Sequence, residues 1–128
     1  MAHGVDIDAL AVVRVPHAES VAVSADKLLR SGGFGLLVLD FGMNAEIPMP
    51  LQSRLTYLAH KHCVAVMCLT QKTAEKPSLG SLVSLRGEAF RTTIRDGVYE
   101  CAVHVLKDKH RSPLWMHRER YGGPMGLC

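Results

Sequence analysis

Leu36-Leu37-Val38-Leu39-Asp40-Phe41 is an apolar run interrupted by a single acid near its end. It lacks the apolar/polar alternation of a half-exposed strand, which predicts a parallel strand buried on both faces. Upstream of it, apolar residues fall at Val21, Ala22, Ala25, Leu28 and Leu29, the spacing of a helix beginning at Ala18, and Glu19 suits its first turn. Ser31-Gly32-Gly33 ends that helix, because glycine enters the left-handed conformation that helix ends require. Earlier still, residues 9–15 (ALAVVRV) are β-branched and closed by Pro16, and predict a strand. Downstream, Pro48 and Pro50 precede a second helix with Leu51, Leu55, Leu58 and Ala59 on one stripe. Residues 64–69 form a second fully apolar strand leading into Thr70-Gln71. Strand, helix, strand, helix, strand is an α/β layout with right-handed crossovers.

The character changes after Gln71. Residues 72–80 (KTAEKPSLG) are polar and contain Pro77 and Gly80, which predicts a mobile loop. Three strand-like segments follow, at 82–92, 98–106 and 114–120, with Asp96-Gly97 as the hairpin turn between the first two. The middle one alternates, placing Tyr99, Cys101, Val103 and Val105 on one side. The expected architecture is a single α/β domain over residues 1–128, a mostly parallel sheet with helices on its faces, extended by antiparallel C-terminal strands.

A chain of 128 residues has room for one hydrophobic core. Its 48% hydrophobic and 21% charged residues exclude wholesale disorder. No apolar run approaches the roughly 20 residues that span a bilayer. The sequence does not open with a basic stretch and an apolar core, so no secretory signal and no membrane association are expected, and the cytoplasm is the expected compartment. In that compartment Cys63, Cys68, Cys101 and Cys128 are expected to be reduced, buried thiols. Residues 1–64 carry 5 Lys/Arg against 6 Asp/Glu, whereas residues 65–128 carry 10 against 6. The basic second half suits either a phosphate-bearing partner or an ordinary solvated surface.

Asp40 is the first candidate for chemistry. Ligands of open α/β sheets gather beyond the carboxyl ends of the strands, where an acid can orient Mg²⁺ or its water. The same acid could simply organise the following turn. Nowhere does G-x-x-x-x-G-K-[ST] occur, and Ser31-Gly32-Gly33-Phe34-Gly35 precedes a strand instead of opening a helix, so it cannot aim helix N-terminal amides at phosphates. His60, His62 and Cys63 cluster, yet no C-x-x-C pair accompanies them and the two histidines point apart on a helix, which favours surface histidines over zinc ligands. Neither a G-x-S-x-G elbow nor a cysteine nucleophile motif is present. Lys107-Asp108-Lys109 follows an alternating strand, where residues two apart project the same way. Two convergent ammoniums could hold a phosphate or merely solubilise a hairpin tip.

Taken in order, these segments resemble the second half of the RecA-type recombinase ATPase core. Gly4-Val5-Asp6-Ile7-Asp8 is similar to the lead into the strand before the Walker B strand. Leu28-Leu29-Arg30-Ser31-Gly32 and Leu36–Asp40 resemble the helix end and the Walker B strand, residues 64–71 the next core strand, and Val105-Leu106-Lys107-Asp108-Lys109 the strand whose lysines reach a neighbouring subunit's ATP. Arg120-Tyr121-Gly122-Gly123-Pro124-Met125-Gly126-Leu127 suits the last strand and its exit. The resemblance implies a RecA-like, P-loop NTPase-type fold with its first part missing. It implies Asp40 as the Walker B acid and Mg²⁺ residue, Gln71 as the catalytic phosphate sensor, Lys107 and Lys109 as cations acting on bound ATP in trans, and Lys72 and Lys76 in the DNA-binding loop. ATP and Mg²⁺ would serve the intact core, whereas this chain, lacking the phosphate loop, is expected to bind neither alone. Self-association and contacts with DNA are implied. The short loops are closer to ImuA-type RecA-like proteins, accessory factors that work beside a translesion polymerase in damage-induced mutagenesis, which implies a repair or polymerase partner.

Overall fold

The computed structural model describes residues 6, 8–43, 46–95, 97–112 and 114–122. Its fold is mixed α/β and divides into two compact units, one formed by Val13–Val83 and the other by the residues before Val13 together with those from Ser84 onward.

The first unit runs α1 (Ala18–Ser31), β1 (Leu36–Asp40), α2 (Met49–His62) and β2 (Ala65–Leu69). Gly32 adopts the left-handed conformation at φ 65° and its N–H donates to the Leu29 carbonyl, the helix stop expected from Ser31-Gly32-Gly33. Pro48 caps α2 and Pro50 occupies its first turn, where a missing N–H does no harm. β1 and β2 pair in parallel, from Leu36 opposite Ala65 to Asp40 opposite Leu69. A single core joins Ala22, Ala25 and Leu29 of α1, Leu37 and Leu39 of β1, Phe41 and Ile47 of the connection, Leu55 and Leu58 of α2, and Val64.

Two expectations are corrected. Residues 10–15 adopt no regular structure, and Leu10, Val12 and Val13 are exposed. β-branched composition favours a pleated surface but supplies no neighbour to pair with, and no ladder reaches this segment. Nor is β1 buried on both faces: burial alternates along it, with Leu36 and Val38 exposed at 53% and 49%. Only one face of the β1–β2 pair contributes to the core, and the other presents Leu36, Val38, Met67 and Leu69 to solvent.

The second unit is an antiparallel meander of β3 (Leu85–Arg95), β4 (Val98–Asp108) and β5 (Met116–Gly122). Arg95 pairs with Val98 across a two-residue connection, and Gly97 has φ 72°, as a hairpin turn there requires; Asp96 lies outside the described residues. Leu106 is the extra residue of a bulge, since Arg86 pairs with Lys107 and Gly87 with Val105. At Gly87 an added Cβ would fall 2.7 Å from Val103 Cγ1, so a side chain there would require Val103 to shift. β5 begins at Met116, two residues later than its composition suggests, because Leu114 sits at φ 71°.

The sheet is therefore not mostly parallel. Two strands form a parallel sheet and three form a separate antiparallel one among the described residues. The polar stretch between β2 and β3 carries no strand that could join the two ladders. Among the described residues no helix is long and apolar enough to cross a membrane. Cys63, Cys68 and Cys101 are free thiols. None of the three is fully buried: Cys68 and Cys101 are half-buried, partial burial pushing the Cys68 thiol up, and Cys63 is exposed, ending α2 in the left-handed conformation at φ 54°. Cys128, Gly4, Val5, Ile7 and the exit residues 123–127 lie outside the described residues.

Candidate functional site

The carboxyl end of the parallel pair brings two of the sequence-predicted residues together. Hydrogen bonding continues past the last strand pair: the Phe41 N–H donates to the Leu69 carbonyl at 3.0 Å, and the Gln71 N–H donates to the Gly42 carbonyl at 3.0 Å. Asp40 and Gln71 thus stand on adjacent chain exits at one rim of the sheet, both exposed. The Asp40 carboxylate accepts the Gly42 N–H on Oδ1 at 3.0 Å, and Gly42 adopts φ 56°. Asp40 therefore does shape its own turn, and does so with one oxygen. Its Oδ2 remains available to a hydrated cation or a water.

The chain leaves this rim through Lys72 and a turn closed by the Lys76 N–H donating to the Thr73 carbonyl. Residues 71–84 have neither helix nor strand, in keeping with their Pro and Gly content, but their far end is tied down. Gln52 of α2 donates through Nε2 to the carbonyls of Ile47 (2.6 Å) and Leu79 (2.8 Å), clamping this stretch to the start of the helix. Leu79 packs against the core.

Lys107 and Lys109 belong to the second unit. Lys107 is half-buried on β4 opposite Arg86, whereas Lys109 is exposed beyond the strand, its N–H donating to the Ser84 carbonyl at 2.9 Å. Between them Asp108 organises the chain reversal. Its Oδ1 accepts the N–H groups of His110 (2.8 Å) and Arg111 (3.1 Å), and its Oδ2 accepts the Trp115 indole N–H at 3.2 Å. The His110 amide above all, with Trp115 and Arg111 adding to it against partial desolvation, holds the Asp108 carboxyl below its ordinary range.

Sequence reasoning passed over two groups. On β5, the Glu119 carboxylate accepts from the Tyr121 hydroxyl and bonds the His117 ring at 2.9 Å; the three residues are two apart and share a strand face. The Tyr121 hydrogen bond, then the His117 ring, hold the Glu119 carboxyl down, and the same bond pushes the Tyr121 phenol up. In the first unit, Asp26 is buried and bridges Arg30 (2.6 Å) on its own helix and Arg54 on α2. The i,i+4 spacing of Asp26 and Arg30 was legible. The Arg54 contact links residues 28 apart, which no local pattern encodes.

No protein-family model matches the chain, and no curated protein matches it in sequence. The reading of the rim therefore rests on its own geometry: an acid and an amide at adjacent ends of parallel strands, followed by a lysine-bearing loop.

Proposed function

We propose that this chain supplies the Walker B part of a RecA-like ATPase core serving DNA repair or recombination. The observation that carries the reading is that Asp40 and Gln71 lie on adjacent chain exits at one rim of the β1–α2–β2 segment, held by the Gln71-to-Gly42 hydrogen bond. The position beyond the carboxyl ends of parallel strands is where α/β sheets take their ligands. In an intact core Asp40 would hold Mg²⁺, directly or through water, with the oxygen that Gly42 leaves open, and Gln71 would report the terminal phosphate through its amide. Mg²⁺ supplies charge neutralisation of the phosphates. Lys72 and Lys76 face DNA from the following loop, and Lys107 and Lys109 act on ATP held by a neighbouring subunit. Without a phosphate loop the chain grips no triphosphate by itself.

A second reading, a nucleotide-independent interaction module of an ImuA-type mutagenesis complex, is favoured by the bare apolar face of β1–β2. Parallel sheets are ordinarily covered on both faces, so this surface suits self-association or a repair partner. The two readings separate when the chain is joined behind a phosphate-loop segment of a RecA-like core and DNA-stimulated ATP hydrolysis is measured. Asp40→Ala and Gln71→Ala should each abolish stimulation while the melting temperature holds. Hydrolysis indifferent to both substitutions would refute the ATPase reading.

A further inference from the structure

A cavity of about 490 Å³ opens between the C-terminal halves of α1 and α2, lined by Arg30, Arg54, Tyr57, Leu58, Lys61 and His62. We infer that this pocket binds a dianionic phosphate monoester, with its phosphoryl oxygens on Arg30, Arg54 and Lys61 and its organic part against Tyr57. The inference is independent of the nucleotide reading above. α2 crosses back between two parallel strands, so its C-terminus lies where β2 starts, and α1 likewise ends where β1 starts. The Ala65 N–H donating to the Gly35 carbonyl marks that end of the sheet. Asp40 and Gln71 stand at the opposite end.

Charge is the first argument. Arg54, Tyr57, Leu58 and Lys61 follow one another at i, i+3, i+4 and i+7, so they occupy one stripe of α2. That helix contains no Asp or Glu at all. The buried carboxylate of Asp26 on α1 already bridges Arg30 and Arg54. The pocket thus gathers the three cations Arg30, Arg54 and Lys61, of which Asp26 bonds the two arginines, leaving an excess of two positive charges over these four groups.

Preorganisation is the second. Asp26 is buried and holds both guanidiniums from one side, through Arg30 Nη2 and through Arg54 Nε, while about half of each arginine side chain stays open to solvent. Their unused N–H groups are therefore directed away from Asp26 without further ordering, the condition under which arginine forks grip phosphate well. His62 forms a wall, its ring lying over Gly32, where Nδ1 would come within 3.3 Å of an added Cβ. Tyr57 is 63% exposed and supplies a ring face for the body of the ligand. Two charges and a ring together select a monoester over free phosphate, which lacks the body, and over a diester, which carries one charge.

The test titrates the full chain with inorganic phosphate, phenyl phosphate and diphenyl phosphate at about pH 8, where the monoester is dianionic, and follows binding by calorimetry and amide chemical shifts. Phenyl phosphate should bind saturably, tighter than inorganic phosphate and about tenfold tighter than the diester. Lys61→Gln should weaken it about tenfold with the fold intact, and Tyr57→Ala should bring phenyl phosphate down to the level of inorganic phosphate. Lys27→Gln, an equal charge change on α1 outside the pocket, should leave binding unchanged. Absence of saturable phenyl phosphate binding, a diester that binds as well as the monoester, or equal losses from Lys61→Gln and Lys27→Gln would each overturn the inference.

Discussion

Replacing Gln52 by alanine removes both hydrogen bonds of the clamp that holds residues 71–84 against α2. Its Nε2 donates to Ile47 O at 2.6 Å and to Leu79 O at 2.8 Å, and both contacts are partly buried. A neutral hydrogen bond contributes about 0.5–1.5 kcal/mol net, so the substitution should destabilise the first unit by about 1–3 kcal/mol. Gly80 reports on the same clamp from the other side. A Cβ there would fall 2.0 Å from Gln52 Oε1 and 2.8 Å from Nε2, so Gly80→Ala can fold only by displacing the amide. The two substitutions act on one contact, and the double variant should therefore lose less than the sum of the singles. Gln52→Glu sharpens the point: at neutral pH a carboxylate would face two carbonyl oxygens, and part of the loss should return when acid protonates it and restores one donor. Urea denaturation followed by far-ultraviolet circular dichroism measures all four variants. A Gln52→Ala change within about 0.5 kcal/mol of the parent, as for an unremarkable surface site, or strict additivity with Gly80→Ala, would refute the clamp.

Three further outcomes follow from other parts of the molecule. Cys63→Gly should stabilise the chain by up to about 1 kcal/mol in the same denaturation assay, because a side chain at φ 54° and ψ 41° is held in the left-handed region that glycine enters freely. Asp108 has its native pKa depressed from an ordinary value of about 3.8, so its contribution is present above that value and is lost as the pH falls through the lower native one; Asp108→Ala should flatten this part of the acid limb, read by Trp115 fluorescence. Val38→Asp places a charge on the bare β1–β2 face opposite Met67 and should shift sedimentation toward monomer, and an unchanged distribution would remove that face as the self-association surface.

Local patterns in the sequence determined the local elements. Both helices, the glycine stop at Gly32, the proline-led start of α2, the two apolar strands and the Gly97 turn were legible because each depends on residues within a few positions of one another. The rim was legible in the same sense: an acid closing β1 and a glutamine following β2 are short-range facts, and parallel pairing of the strands was enough to make them neighbours. What composition could not decide was which strands find partners. Residues 9–15 have the composition of a strand, yet no ladder forms, and the meander stands as its own sheet, because pairing depends on edges brought together from distant parts of the chain. Burial followed the same rule: β1, apolar up to Asp40, is covered on one face only, since the helices that could cover a face come from elsewhere in the fold. The Asp26–Arg54 bridge and the Gln52–Leu79 clamp join residues 28 and 27 positions apart. Contacts of that separation arise from helix packing and loop closure, so only the tertiary structure could place two arginines on one buried carboxylate and a lysine in the same pocket.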